Sequence, residues 1–476
     1  MKQSSWKYIV ALALVLAMGP AAPVAEPQGT PAAAAAGTAR SQGPQIPIQQ
    51  FTLKNGMRVV LSEDHAAPTV SLCITYDVGS RNERPGRTGL AHLFEHLMFQ
   101  GSQNVGKGEH MILVENNGGD MNGTTSEEVT NYYQRVPANQ LDLVLFLESD
   151  RMRSLNLSQA NLDNQRNAVQ EERRLRVDNQ PYGQSYEKLQ ELAYDNFAYK
   201  HSVIGSMEDL NQATLDDIAD FFKTYYAPNN AVLSLVGNFK TFEALSKIKK
   251  YFENIPAQPA PPPLDVTEST RTAEKRATLQ DAFARLPRLD VAFRTVPGNT
   301  PDWYALDMLG DVLFSGQSSR LYLKLVKEKA VALQVGGGID TQRGLSLFQA
   351  GVSLKPAQDP GEVERLIFEE IEKVQTDGVT PAEIHKVLMQ NRRVLNQLLT
   401  STLGRARMLG RNAVYFGDPG LINTVLQKYH AVTAADIQHV ARQYLTVPNR
   451  VVVLTIPKSE TPATPDRPAQ NPGGAL

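Results

Sequence analysis

The chain repeats itself, and the repeat limits what it can fold into. Thr214 to Leu235 matches Thr433 to Leu454, with Thr, Asp, Ile, Tyr, Pro and Asn in the same order and one inserted residue before the second Pro. Each copy reads as a capped helix, a Pro-Asn turn and a strand. An offset of about 220 residues is far too long for a solenoid repeat, so it signals two related domains. A length of 476 residues agrees, because it exceeds one ordinary core and suits two domains of about 200 residues each. The Pro-rich stretch Ile255 to Leu264 falls between the copies and should be extended and fairly stiff. The boundaries expected are 45–254 for the first domain, 255–268 for the linker and 269–458 for the second domain. A Pro- and Asp-rich tail, 459–476, reads as disordered.

Within each half, strands alternate with longer amphipathic helices, which makes the class α+β. Strands are expected over 56–62, 69–78, 290–293 and 344–354. Helices are expected over 88–100, 106–116, 138–152, 158–176 and 214–226, then 301–314, 319–328, 360–375, 381–398 and 433–445.

The segment Thr88 to Gly101 carries the chemistry. At about 100° per residue, His92, Glu95 and His96 fall within roughly 100° of one another, while Leu90, Leu93, Phe94, Leu97 and Met98 gather opposite. Thr88 is the expected N-cap and Gly101 the expected stop. Imidazoles four residues apart can reach one tetrahedral zinc, and the carboxylate one position before the second imidazole points at the water such a metal would bind. With eight His in the chain, this spacing should arise by chance on the order of once per hundred such sequences.

A catalytic zinc usually has three protein donors. In the helix expected over 158–176, Leu162, Gln165, Ala168, Val169, Glu172 and Leu175 share one face, and Glu171 lies about 100° away with the solvent-facing charges. A carboxylate on that buried face needs a partner, which could be a metal or a buried Arg.

Composition removes other classes. A net charge of -2 with no basic run gives no footprint for nucleic acid. Lys2 and Lys7, the apolar run Tyr8 to Met18 and the small residues to Ala25 have the layout of a secretory signal, expected over 1–25. An Ala-, Gly- and Pro-rich tether should follow over 26–44. The expected location is the periplasm or the exterior, with no stable membrane insertion once the signal is removed. Cys73 is the only cysteine, so no intrachain disulfide can form, and it should be a core thiol.

His92-Leu-Phe-Glu-His96, followed about 75 residues later by Glu172 in Val169-Gln-Glu-Glu-Arg-Arg174, resembles the insulinase or pitrilysin family of zinc metallopeptidases. Gly118 to Tyr133 resembles that family's active-site strand, and Gly316 to Tyr322 resembles the opening of a second-domain helix. The resemblance covers about residues 45 to 458 and is closest to two-domain members of the mitochondrial processing peptidase type. It implies two domains of like fold, each a mixed sheet backed by helices. It also implies one zinc ion on His92, His96 and Glu172, with Glu95 as general base. A peptide substrate would pair as an added strand along Asn122 to Thr130, touching Asn122, Gly123 and Thr124.

Two departures from the family pattern stand out. Gln165 occupies a place where many members have a Glu supporting the metal site; its amide can still hydrogen-bond. Val326 and Leu333 occupy the places of an Arg and a Tyr that reach the substrate from the other half of single-chain members. The expectation is therefore a zinc endopeptidase acting on oligopeptides or unfolded segments beside a second related subunit, with a homodimer as the other arrangement. The competing class is a non-catalytic structural or binding subunit of the same family.

Overall fold

Both copies of the repeated segment adopt one structure in a computed structural model that describes residues 45–458. Thr214 and Thr433 each cap a helix, Leu215–Tyr225 and Ala434–Tyr444, and Asp217 and Asp436 bond back to the caps, giving two capping boxes. One 3-10 turn follows, then strands Ala231–Gly237 and Arg450–Pro457. The connections are equally long, so the expected insertion is absent and only the Pro has moved by one place. Asn230 and Asn449 are the equivalent residues. The Asn230 amide donates to the carbonyls of Tyr225 and Asp77, and the Asn449 amide to those of Tyr444 and Arg294.

Two mixed sheets carry the fold. The first contains β1 (Gln49–Thr52), β2 (Arg58–Glu63), β3 (Thr69–Tyr76), β4 (Asp120–Thr125), β5 (Thr130–Pro137) and β6 (Ala231–Gly237), in the order β1-β2-β6-β3-β5-β4. The second contains β7 (Lys275–Asp281), β8 (Arg288–Arg294), β9 (Ala332–Ile339), β10 (Leu347–Leu354) and β11 (Arg450–Pro457), in the order β7-β11-β8-β10-β9. Only β2 with β6 and β7 with β11 run parallel, and the duplication relates these two pairs. Helices of the first half are α1 (Leu90–Leu97), α2 (Glu109–Asn116), α3 (Leu141–Ser154), α4 (Gln159–Arg173), α5 (Gly183–Ala193), α6 (Phe197–Lys200), α7 (Met207–Gln212), α8 (Leu215–Tyr225) and α9 (Thr241–Phe252). Those of the second are α10 (Pro301–Phe314), α11 (Pro360–Asp377), α12 (Pro381–Leu399), α13 (Thr402–Phe416), α14 (Leu421–Ala431) and α15 (Ala434–Tyr444).

Several expectations change. The segment expected to be one strand from Asn122 to Thr130 is a hairpin, because β4 ends at Thr125 and residues 126–129 turn the chain into β5. The helix expected over 158–176 leaves α geometry at Arg174 for a π-helical turn, Arg174–Asp178. That turn changes the phase, so Leu175 is 57% exposed although it was placed on the buried face. Ala168 is exposed too, and the buried stripe narrows to Leu162, Gln165 and Val169 with Asn161 and Gln170 beside it. Residues 319–328 are helical only in part, as a π-helix over Tyr322–Glu328.

The two halves exchange helices. The α5 helix packs on β8 and β11 of the second sheet, with Leu189 and Ala193 against Ala292, Val451 and Val453. The α13 helix packs on β3 and β6 of the first sheet, with Ala406, Leu409 and Ala413 against Cys73, Val232 and Val236. Strands covered on both faces have no polar side to show, which is why β3 and β6 are buried along almost their whole length. Cys73 is fully buried in this layer, and burial pushes its thiol up to about 11, so it is an inert core group.

Asp217 joins α8 to the loop before α1: besides Thr214, it accepts from Arg84 Nη2 (2.5 Å) and Arg87 Nε (2.8 Å). Burial pushes its carboxyl up, but the bonds from Thr214, Arg87 and Arg84 outweigh this and hold it at about 2. An unfolded Asp titrates near 4, so the stabilisation is complete above about pH 4 and is lost as pH falls toward 2. Arg84 is largely exposed, so the expected contribution is about 1–2 kcal/mol. Asp217→Asn should flatten the acid limb of stability against pH in urea titrations; an unchanged limb would remove this pair from the account.

The segments 1–25, 26–44 and 459–476 lie outside the described residues. Among the described residues, no helix is long and apolar enough to cross a membrane.

Candidate metal centre

The first sheet and its neighbours grip α1 at both ends. Its N-cap is Gly89, at φ 87°, and not Thr88. A Cβ at Gly89 would meet the Ile204 carbonyl oxygen at 2.7 Å, so the left-handed turn and the close approach both require glycine. Thr88 instead donates through its N–H and hydroxyl to Asp209. The capping role falls to the buried Glu83 carboxylate, which accepts from the N–H groups of Gly89 (2.8 Å) and Ala91 (2.7 Å). A carboxylate there meets the positive end of the helix dipole. His201 Nε2 holds the same carboxylate at 3.0 Å. At the other end, Arg151 donates to the Met98 carbonyl and Tyr132 to that of Phe94.

With its apolar side buried, α1 turns His92, Glu95 and His96 toward α4 and β4. Glu172 Oε2 lies 3.3 Å from His96 Nε2 and 3.7 Å from His92 Nε2. Donors at about 2.1 Å on a tetrahedral ion stand roughly 3.4 Å apart, so these three atoms fit one zinc. Among the described residues they are the one group of three such side chains close enough to share a metal. Glu171 faces away and pairs with Arg174.

The electrostatics suit a cation. Burial, then the neighbouring His96, lowers His92 to about 4, so its imidazole is neutral and offers a lone pair near neutral pH. Burial also opposes charge on His96, but the Glu172 hydrogen bond outweighs it and raises its pKa. Burial pushes Glu172 up, yet His96, His92 and Arg176 together hold it at about 2. His96 Nδ1 donates to Gln165 Oε1 at 3.3 Å, which leaves Nε2 to face Glu172. Arg176, in the π-helical turn, takes the other Glu172 oxygen at 2.5 Å. Sequence phase put Gln165 on the face of Glu172, and the family resemblance implied its supporting role; neither could mark Arg176, because the π turn sets that side chain's direction.

Glu95 points to the edge strand. Thr125 Oγ1 donates to Glu95 Oε2 at 2.7 Å, and burial raises the carboxyl's pKa. A Cβ on Gly123 would stand 2.8 Å from Glu95 Cγ, so β4 approaches this closely because residue 123 has no side chain. Asn122 and Thr124 alternate with Gly123 and Thr125 and turn to the opposite face, while Asn122 Oδ1 accepts from the Gly123 N–H. Of the three residues expected to touch substrate, Gly123 alone therefore lines the metal side. Thr125 was missed, since only the pleat and register reveal which threonine faces Glu95.

The second half holds no such centre among the described residues. There α10 stands where α1 does in the first half, and Asp307 and Asp311 repeat the four-residue spacing. Asp307 accepts from Tyr429 and Asp311 from Ser315. Burial, then the adjacent Asp311, pushes Asp307 up to about 7, and each of the two carboxyls is held by its own hydroxyl. Val326 packs against the second core, and Leu333 on β9 is 52% exposed.

Comparisons with known proteins bear on both halves. Residues 58–206 match the family described as Insulinase (Peptidase family M16), and residues 212–391 match Peptidase M16 inactive domain. The chain is 30% identical over 400 residues to "Zinc protease PqqE" of Helicobacter pylori, covering 83% of this chain and 90% of that one. It is 25% identical over 403 residues to "Uncharacterized zinc protease YmxG" of Bacillus subtilis, covering 84% and 96%. The crystal structure of a protease from Helicobacter pylori superposes with a TM-score of 0.84 at 28% identity, over 87% of this chain and all of that one.

Proposed function

Because this chain belongs to the insulinase family of peptidases, M16, we propose that it is a zinc-dependent endopeptidase that hydrolyses oligopeptides or unfolded segments. The observation that carries this reading is Glu95, held by Thr125 beside three donors spaced for one ion. His92, His96 and Glu172 would hold the zinc. When bound, zinc supplies a Lewis acid that brings the pKa of water toward neutrality and polarises the scissile carbonyl. Glu95 would take a proton from the attacking water and pass it to the leaving amine. Thr125 fixes which oxygen of Glu95 is free to do so. The outer edge of β4 receives the substrate as an added strand, whose backbone bonds give affinity with little sequence demand.

A second related subunit completes the site in this reading, since Val326 and Leu333 offer no donor to a substrate carbonyl. Export to the periplasm is supported by Lys2, Lys7 and the apolar run behind them. The competing reading, a non-catalytic subunit, is disfavoured by the complete donor set.

Peptide hydrolysis by the zinc-loaded chain, alone and with a zinc-free relative from the same cell, tests the reading. Activity only in the mixture supports the paired enzyme. Full activity from the chain alone points to a homodimer, and none in either supports the non-catalytic subunit. Gln165→Ala should weaken zinc binding about 10- to 100-fold in a chelator competition, through loss of the bond that orients His96; an unchanged affinity would show that Gln165 does not orient the ligand.

A further inference from the structure

We propose that Arg407 and Arg411, on the helix contributed by the second half, select acidic side chains in the peptide that adds to β4. The proposal rests on the reading of β4 as the substrate edge and names which peptides that edge prefers.

The geometry follows from the exchange of helices. The α13 helix runs parallel to β3: Thr402 meets Ser71 at its start, and two turns on Gly410 lies against Thr75. Across the sheet, Cys73 pairs with Tyr133 and Tyr133 with Asn122, while Thr75 pairs with Asn131 and Asn131 with Thr124. Arg407 lies over the Tyr133 ring, 4.5 Å from its centre, and so stands at the level of Asn122. Arg411 lies over the Tyr415 ring at 4.8 Å, one helical turn further on and at the level of Thr124. Four residues of helix rise about 6 Å and two residues of strand about 6.7 Å, so the two guanidinium groups keep step with alternate side chains of an extended peptide.

Both cations are unspent. Among the described residues, neither Arg407 nor Arg411 has an ion pair or a hydrogen bond; each has only its ring contact. Other arginines at this junction are paired: Arg343 with Asp77, Arg405 with Asp64, Arg81 with Glu128. Two arginines parked on aromatic faces, one strand in from a free sheet edge, keep their forked donors for a carboxylate that arrives. An added strand alternates its side chains. One set faces Glu95 and the metal donors, and the other faces α13.

The test uses fluorescein-labelled decapeptides with Glu, Gln or Lys at every second position and binding by anisotropy to the zinc-loaded Glu95→Gln chain, so that no cleavage intervenes. The Glu peptide should bind about tenfold more tightly than the Gln peptide at low salt, with the difference shrinking as salt rises. Arg411→Gln, at an exposed position, should reduce the preference, Arg407→Gln should remove most of the rest, and Arg407→Glu should turn it toward the Lys peptide. Equal binding of the three peptides, or a Glu preference that survives both Gln substitutions, overturns the proposal while leaving strand addition intact. Binding of none of the three, by the chain alone or mixed with its zinc-free relative, overturns both.

Discussion

Glu95→Gln should cut peptide hydrolysis by about 10³- to 10⁴-fold while leaving zinc affinity within a few fold. The reasoning starts from the contacts. Glu95 is not among the three donors whose atoms converge, so its replacement leaves the ion's site as built. The amide oxygen of Gln can still accept from Thr125, which keeps the side chain in place. What disappears is a group able to take a proton from water and return it to the leaving amine, a role that burial assists by raising the carboxyl's pKa. Steady-state rates and a zinc competition on the same preparation separate the two effects. A variant that loses zinc as well would show that Glu95 helps to hold the metal. Gly123→Ala is the informative companion, because its new Cβ would stand 2.8 Å from Glu95 Cγ and must displace either the base or the strand.

Arg151→Met should be the most damaging single change outside the site, at about 3–5 kcal/mol. Arg151 and Glu148 are 2% and 1% exposed in their side chains and bond through both nitrogen and carboxylate pairs. The guanidinium also lies 4.4 Å from the Tyr132 ring centre and 5.0 Å from that of Phe99, and it donates to the end of α1. Removing it leaves a buried carboxylate with only Gln134 as a partner. Unfolding followed by circular dichroism should show the loss, and Arg151→Met with Glu148→Leu should recover much of it, because no buried charge then remains. A single variant as stable as the parent would remove the Arg151–Glu148 pair from the account of what holds the fold. Since Arg151 holds α1 from below, its loss should also loosen the helix that presents His92 and His96.

Much of the site was legible along the chain. The spacing of His92, Glu95 and His96 is a helical pattern, and a helix buried on one side must put that stripe in a cleft. Helical phase also separated Glu172 from Glu171, whose neighbouring side chains in the structure face the donors and solvent respectively. The cap of α1 was misread because the sequence shows Thr88 next to the helix, while the capping carboxylate comes from Glu83 through a fold of the loop. Glu128 follows an edge strand along the chain, a place where a charge is usually solvated. It is instead fully buried, where Arg81, Tyr199 and the backbone of Arg343 in the second half converge on it.

The sequence by itself determined what depends on neighbours within a few residues: the capped helices at Thr214 and Thr433, the metal-facing stripe of α1, the duplication. Tertiary structure decided which surfaces meet. Nothing in α5 or α13 says which sheet it will cover, because an apolar helix face fits any apolar sheet face of matching size, and each was taken by the sheet of the other half. The same holds for Thr125 against Glu95 and for Arg407 beside β4. These contacts join residues 30 or more positions apart, and they are fixed by strand register and by the exchange of helices, which local periodicity does not encode.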